Sequence, residues 1–276
     1  EGSSMIFPAV LIVVIAGMFG CVMGSFLNVI AMRRGRGELA GGRSYCESCR
    51  HALSWKELIP VASFLIQKGR CRRCGAALSW QYPLTELGTA ALFGTAMWLF
   101  LPGADGFFLT ALILANLFIG LSAGIVVLIS DLRFQIIPNA AVGTLLAVGI
   151  AETFRRREFF VFGLGGGNSA GMGEDGAAAI GIALFLAGLW FFSRGRWIGF
   201  GDAKLIGATS LILGFPASIA GLLFSFWIGG VAGAGLLAAG YATAKSRIPF
   251  GPFILAGTVA AYYFSDHFFA ILFHLW

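Results

Sequence analysis

The stretch FFLTALILANLFIGLSAGIVVLI, residues 107–129, carries no charged side chain. It exceeds the roughly 20 apolar residues that a helix needs to cross a bilayer. Ser130-Asp131-Leu132-Arg133 follows at once, so an acid and a base stand where the apolar run stops. Runs of the same kind recur along all 276 residues, of which 58% are hydrophobic and only 12% charged. A soluble domain carries about 25% charged residues. The chain therefore reads as an all-α polytopic membrane protein. A soluble globule, a disordered chain, a collagen-like repeat and a disulfide-rich secreted scaffold are excluded.

Hydropathy and its breaks place about eight transmembrane helices, at 6–32, 84–101, 107–129, 139–154, 176–193, 202–213, 217–242 and 253–276. The first apolar run is too long for a signal peptide and no basic segment precedes it. The sixth is short for a full crossing and is expected at the interface or beside a water-filled cavity. Orientation follows from the basic residues. With loop 33–82 in the cytoplasm, Arg33, Arg34, Arg36, Arg43, Arg50, Lys56, Lys68, Arg70, Arg72 and Arg73 lie inside. The same topology adds Arg133, Arg194, Arg196, Lys204, Lys245 and Arg247. Most of the 19 basic residues are then cytoplasmic, as the positive-inside rule requires, with Arg155, Arg156 and Arg157 the exceptions. The net charge of +6 is thus explained by topology and gives no reason to expect nucleic acid. The lipid bilayer is the expected partner, and both termini face away from the cytoplasm. Gly20 with Gly24, and Gly120 with Gly124, form GxxxG pairs that permit close helix approach. No internal repeat is evident. Segment 163–176 reads as a flexible external loop, and its match to G-x-G-x-x-A at Gly165, Gly167 and Ala170 lacks the preceding strand that a nucleotide site needs.

Four of the five cysteines form Cys46-x2-Cys49 and Cys71-x2-Cys74, a zinc-ribbon-like spacing. Each pair sets two thiolates on a tight turn, and two such knuckles facing each other close a tetrahedral S4 zinc site. Four protein ligands leave no open position, so the metal is structural. A cytoplasmic loop argues against disulfides. Arg50, Arg70, Arg72 and Arg73 are expected to favour the thiolates. His51 is surplus to the four ligands, and Cys21 lies in an apolar helix as packing. The loop is too poor in apolar residues for a large core, so metal supplies the missing stability. Its apolar pieces, 55–59, 61–66 and 78–82, are expected against the membrane or the bundle, which makes the loop a cytoplasmic lid.

Two of the 13 carboxylates stand apart. Asp131 directly follows the third predicted helix, and Asp202 opens the sixth in Gly199-Phe200-Gly201-Asp202-Ala203-Lys204. Both fall at the same membrane boundary, where ionisable groups are costly and point to function. Singly, Asp202 reads as a helix N-cap and Asp131 as an interfacial carboxylate near Arg133. As a pair at equal depth they read better as an aspartic dyad, in which one carboxyl keeps a proton while the other activates water. Gly199 and Gly201 would let the backbone bend so that Asp202 faces a cavity. Lys204 either donates to a substrate backbone or snorkels.

These residues together resemble the type IV prepilin peptidase family (prepilin leader peptidase/N-methyltransferase), within the GxGD membrane aspartic proteases. Gly199-Phe200-Gly201-Asp202 fits the GxGD signature, and Asp131 with Ile137-Pro138 fits the first aspartate motif. Gly24–Val29, Leu53-Ser54-Trp55 through Pro60, Gly69–Arg72, Tyr82–Glu86 and Ile248–Pro252 follow other blocks of the family. Glu47 stands where Pro is frequent, Asn139 where Asp is common, and 33–44 is unusually rich in Gly and Arg. The resemblance implies cleavage of a short basic leader from prepilins or pseudopilins of type IV pili or type II secretion, on the cytoplasmic side of the bacterial inner membrane. It also implies methylation of the new N-terminus with S-adenosylmethionine. No glycine motif of a soluble methyltransferase is present, so a cofactor pocket is expected between loop and bundle. Asn28 and Glu86, polar residues bordering that loop, are its candidates, with helix capping as the plainer reading. On this scheme 1–4 is an expression scar, 5–32 the first transmembrane helix, 33–83 the zinc-binding loop and 84–276 the bundle with the peptidase site. Three other readings compete: a peptidase-only GxGD intramembrane protease, a proton-coupled transporter using the two acids, and a non-enzymatic scaffold. The cysteine loop speaks against the first two.

Overall fold

The computed structural model describes residues 2–35, 42–100, 107–161, 172–243 and 246–274. Among them the long elements are all helices: α1 (Gly2–Gly35), α3 (Gln81–Phe100), α4 (Phe107–Phe134), α5 (Asn139–Val161), α6 (Met172–Ser193), α7 (Phe200–Leu213), α8 (Ala217–Ala238) and α9 (Gly251–His274). The short α2 (Ala62–Ile66) lies in the cysteine loop. Eight long helices thus stand where hydropathy predicts them. Four of them carry windows long and apolar enough to span a bilayer: Ala9–Arg33, Phe108–Phe134, Gly173–Ser193 and Ala217–Ala238. Exposure is inverted relative to a soluble protein. Met18 and Phe191 are 66% and 70% exposed, whereas Asn28 and Ser225 are fully buried. Apolar side chains outward and polar ones inward suit a lipid surround.

Several boundaries move, each for a local reason. α4 continues to Phe134 because nothing before Gln135, at φ +53, interrupts it. Asp131 therefore lies within the helix instead of after it. α5 runs past 154 to Val161, and α6 begins at Met172, so 172–176 is helical and not loop. The Gly165–Ala170 motif lies outside the described residues.

The chain forms two compact units, Glu1–Ile129 and Ser130–Trp276. In the first, α1 packs along α3. The Gly20/Gly24 pair makes this possible, since a Cβ on Gly20 would stand 2.7 Å from the Thr89 carbonyl oxygen and one on Gly24 2.9 Å from Glu86 Cα. In the second unit, α7 is the hub and touches α5, α6, α8 and α9. At about 1.5 Å per residue its 14 residues measure roughly 21 Å, short of a full crossing. Its far end is held by Arg156, which donates to the carbonyls of Leu211 (2.9 Å) and Ile212 (2.8 Å) and to Asp175 (3.0 Å). Asp175 in turn accepts the Phe215 N–H at 2.7 Å.

Candidate functional sites: a cysteine cluster and an aspartate pair

The cysteine loop is built twice over. The Arg50 N–H donates to the Cys46 carbonyl, and the Gly75 N–H donates to the Cys71 carbonyl, both at 2.9 Å. The Cys46 and Cys71 amides donate to His51 and Ala76. Isolated antiparallel bridges Tyr45–Ala52 and Arg70–Ala77 flank the two turns. Arg50 (φ +57) and Gly75 (φ +73) occupy the same left-handed position. The equivalence shows in the sequence as Cys-x2-Cys-x2-Ala-Leu-Ser-Trp at 46–55 and again at 71–80. The expectation of no internal repeat is therefore corrected. The repeat is only ten residues long, and the two copies differ at all four of its variable positions.

The four sulfurs all lie within 4.8 Å of one another, with Cys46 Sγ and Cys74 Sγ 3.9 Å apart. Tetrahedral Zn–S bonds of about 2.3 Å require sulfurs about 3.8 Å apart. The donor set and its spacing fit zinc. The amides of Cys74 and Arg73 hold the Cys71 thiol down to about 7. Cys74 is drawn down by the Ala76 amide, but desolvation and the neighbouring thiols carry it up to about 11. The turn backbone, and not the arginine charges expected from the sequence, favours the Cys71 thiolate. His51 is not a ligand; its Nδ1 meets Arg73 at 2.7 Å.

Asp131 and Asp202 both belong to the second unit, are 5% and 8% exposed, and lie within electrostatic reach of each other. Each is held by one backbone amide. Asp202 sits three residues past the N-cap Gly199 and accepts that residue's N–H at 3.0 Å. It is thus not the N-cap itself. Asp131, on the last turns of α4, accepts the N–H of Gly251 at the start of α9 at 2.8 Å. In each carboxylate the bond engages Oδ2. Gly199 has an ordinary extended backbone (φ −76, ψ 148), so bending is not its role. The demand is for space: a Cβ there would lie 3.1 Å from Asp202 Oδ2, and one on Gly201 would lie 3.2 Å from Ile137 Cβ. Lys204 Nζ donates to Asn139 Oδ1 at 2.5 Å and lies 5.4 Å from the Phe200 ring.

Asn28 and Glu86 fall in the first unit. Gln81 Nε2 donates to Asn28 Oδ1 at 3.0 Å, and the Val61 N–H donates to Glu86 Oε2 at 2.7 Å. Both candidates lie within helices and cap neither of their own, but Glu86 accepts the N–H of Val61, the N-cap residue of α2, so the plainer capping reading holds for Glu86 at a neighbouring helix. Sequence reasoning missed Gly251, Gln81 and Val61 as their partners. A signal for Gly251 exists in the sequence, since Ile248–Pro252 resembles a block of the family.

Residues 18–100 match the bacterial peptidase A24 N-terminal domain, and 117–234 match the type IV leader peptidase family. A prepilin leader peptidase/N-methyltransferase of Bacillus subtilis (strain 168) is 35% identical over 251 residues, covering 90% of this chain and 93% of that protein. Proteins of the same name from Burkholderia pseudomallei (strain 1026b) and Aeromonas salmonicida (strain A449) are 30% and 31% identical, covering 92% and 88% of this chain and 86% and 88% of theirs. No solved structure matches. With the similarity running through the cysteine loop and both aspartates, the chain belongs to the type IV leader peptidase family.

Proposed function

We propose that the protein is a bifunctional membrane enzyme. It removes the leader of prepilins or pseudopilins with Asp131 and Asp202, and it methylates the exposed N-terminus with S-adenosylmethionine. The observation that supports the peptidase reading is that two carboxylates of the same unit are both buried and each is restrained through Oδ2 by the backbone of another residue. The Oδ1 oxygens are then those that meet water and substrate. Like charges at short range do not both ionise, so the pair shares one proton. The ionised carboxylate takes a proton from water, and the hydroxide attacks the scissile carbonyl as the partner's proton passes to the carbonyl oxygen. Collapse of the tetrahedral intermediate breaks the C–N bond and returns a proton to the departing amine. The titration belongs to the pair and not to either residue. Lys204, restrained by Asn139, offers a donor to substrate backbone two residues from Asp202.

The membrane arrangement completes the reading. About eight helices are embedded in the bacterial inner membrane, the short α7 among its neighbours without a full crossing of its own, with the zinc loop and the dyad on the cytoplasmic side, where a basic leader meets them. Zinc on Cys46, Cys49, Cys71 and Cys74 supplies structural cross-linking of the loop and takes no part in the chemistry. Residues 5–32, 33–83 and 84–276 act as first helix, zinc loop and catalytic bundle.

The test is incubation of the purified protein in lipid with a prepilin and S-adenosylmethionine, with the pilin N-terminus read by mass spectrometry. Leader loss in the wild type, but in neither Asp131→Asn nor Asp202→Asn, supports the dyad, and a 14 Da increment supports methylation. Intact prepilin with a well-folded wild type would instead favour a scaffold or transporter, and cleavage without the increment would leave a peptidase alone.

A further inference from the structure

A second polar cluster, between α1 and α3, plays no part in the peptide-bond chemistry. Asn28 is fully buried, and its Nδ2 has no hydrogen-bond partner among the described residues. Buried side-chain donors are otherwise nearly always satisfied, and an orphan calls for an explanation. One turn earlier on the same face of α1, Ser25 bonds to Glu86. Glu86 is 6% exposed and accepts the Val61 N–H. No Lys, Arg or His among the described residues forms an ion pair with it. Buried carboxylates are normally paired. A carboxylate wanting a cation and an amide wanting an acceptor therefore share one helix interface.

The segment lying over Glu86 is strained. Val61 has φ +59 and ψ −52, a conformation that is an outlier for a β-branched residue. Such strain collects at ligand clamps and switch regions. It is held by the Glu86 bond and by the packed turn of Pro60 and Ala62 in the cysteine loop.

We propose that Asn28 and Glu86 form the floor of the methyl-donor site, capped by the Pro60–Ala62 segment. This deepens the methyltransferase reading above and rests on it. S-adenosylmethionine presents a sulfonium, an ammonium and a carboxylate. Glu86 faces the cationic part, and Asn28 Nδ2 donates to the carboxylate. On transfer, the lone pair of the neutral pilin amine forms the N–CH3 bond as the S–CH3 bond breaks. The bonding pair stays on sulfur, giving S-adenosylhomocysteine, and the amine's surplus proton passes to solvent. Because the floor is buried, the cap must lift from Glu86 for the donor to enter.

The test is equilibrium binding of labelled S-adenosylmethionine to the full chain in lipid nanodiscs, with no prepilin present. Zinc content and the unfolding midpoint serve as fold controls. Glu86→Gln keeps the shape and can still accept the Val61 N–H. It is expected to weaken binding at least about tenfold, the scale of a lost charge-assisted contact. S-adenosylhomocysteine, which lacks the sulfonium charge, is expected to be affected less. Asn28→Leu removes the orphan donor, so a purely structural Asn28 predicts unaltered binding and the site predicts a loss. Binding within twofold of wild type in both variants would overturn the assignment, and if Asn28→Leu does not fold, Glu86→Gln alone decides. Absence of binding by the wild type would defeat the methyltransferase reading itself, and the site with it.

Discussion

Gly251→Ala tests the geometry of the aspartate pair more sharply than removal of either carboxylate. The glycine N–H holds Asp131 Oδ2 at 2.8 Å, and a Cβ at that position would stand 2.7 Å from the same oxygen. The Asp131 Cγ would be 3.3 Å from it. Ordinary contact begins at about 3.4 Å, so the carboxylate must withdraw by roughly 0.7 Å or rotate away. Either movement strains or breaks the amide bond. A displacement near 1 Å in a catalytic group can cost 10²-fold. We therefore expect kcat for leader cleavage to fall by about 30- to 100-fold, equivalent to about 2–2.7 kcal/mol of barrier. KM should change little, because the substrate's distant contacts are untouched. The assay is single-turnover cleavage of a prepilin in lipid, with Gly230→Ala alongside; a Cβ there meets nothing within 4 Å and should leave the rate unchanged. Wild-type kcat in a folded Gly251→Ala protein would refute the claim that this amide positions Asp131.

Three further outcomes are expected. Asp202→Asn should abolish cleavage with no change in the unfolding midpoint, since the amide oxygen still accepts the Gly199 N–H; retained cleavage removes Asp202 from the pair. Cys71→Ser should lower bound zinc measured by plasma mass spectrometry and open the loop to limited proteolysis, and the pseudo-repeat predicts the same result for Cys46→Ser; unchanged metal in both refutes the S4 site. Asp175→Ala removes the partner of Arg156 and the acceptor for the Phe215 N–H, and should cost about 2–4 kcal/mol of stability, below the full value for a buried pair because Arg156 is partly exposed. Denaturant titration in detergent reads that loss, and a change under about 0.5 kcal/mol would show that the far end of α7 is held some other way.

Much of this was legible along the chain. Apolar runs fix the helices because a helix in lipid must satisfy its own backbone, whatever its neighbours. The two Cys-x2-Cys turns are also local, since each knuckle closes its hydrogen bonds within a few residues. The aspartates were legible as a pair because Asp131 and Asp202 each sit at the end of an apolar run. Their detailed settings were not. That Asp131 lies inside α4 depends on where the chain adopts a positive φ, at Gln135, and not on hydropathy. That Asp202 reaches back to Gly199 follows from the backbone of a helix start.

By itself, then, the sequence determined which segments are helical, which four thiols gather and which two acids stand beside apolar runs, because each depends on hydrophobic length or on spacing of a few residues. The tertiary structure alone decided that Gly251 secures Asp131, that Val61 bonds to Glu86, and that Asn28 Nδ2 has no partner among the described residues. Those pairings join residues as much as 120 positions apart. The partners of Asp131 and Glu86 are backbone amides, which every residue but proline carries, so no side-chain pattern announces them.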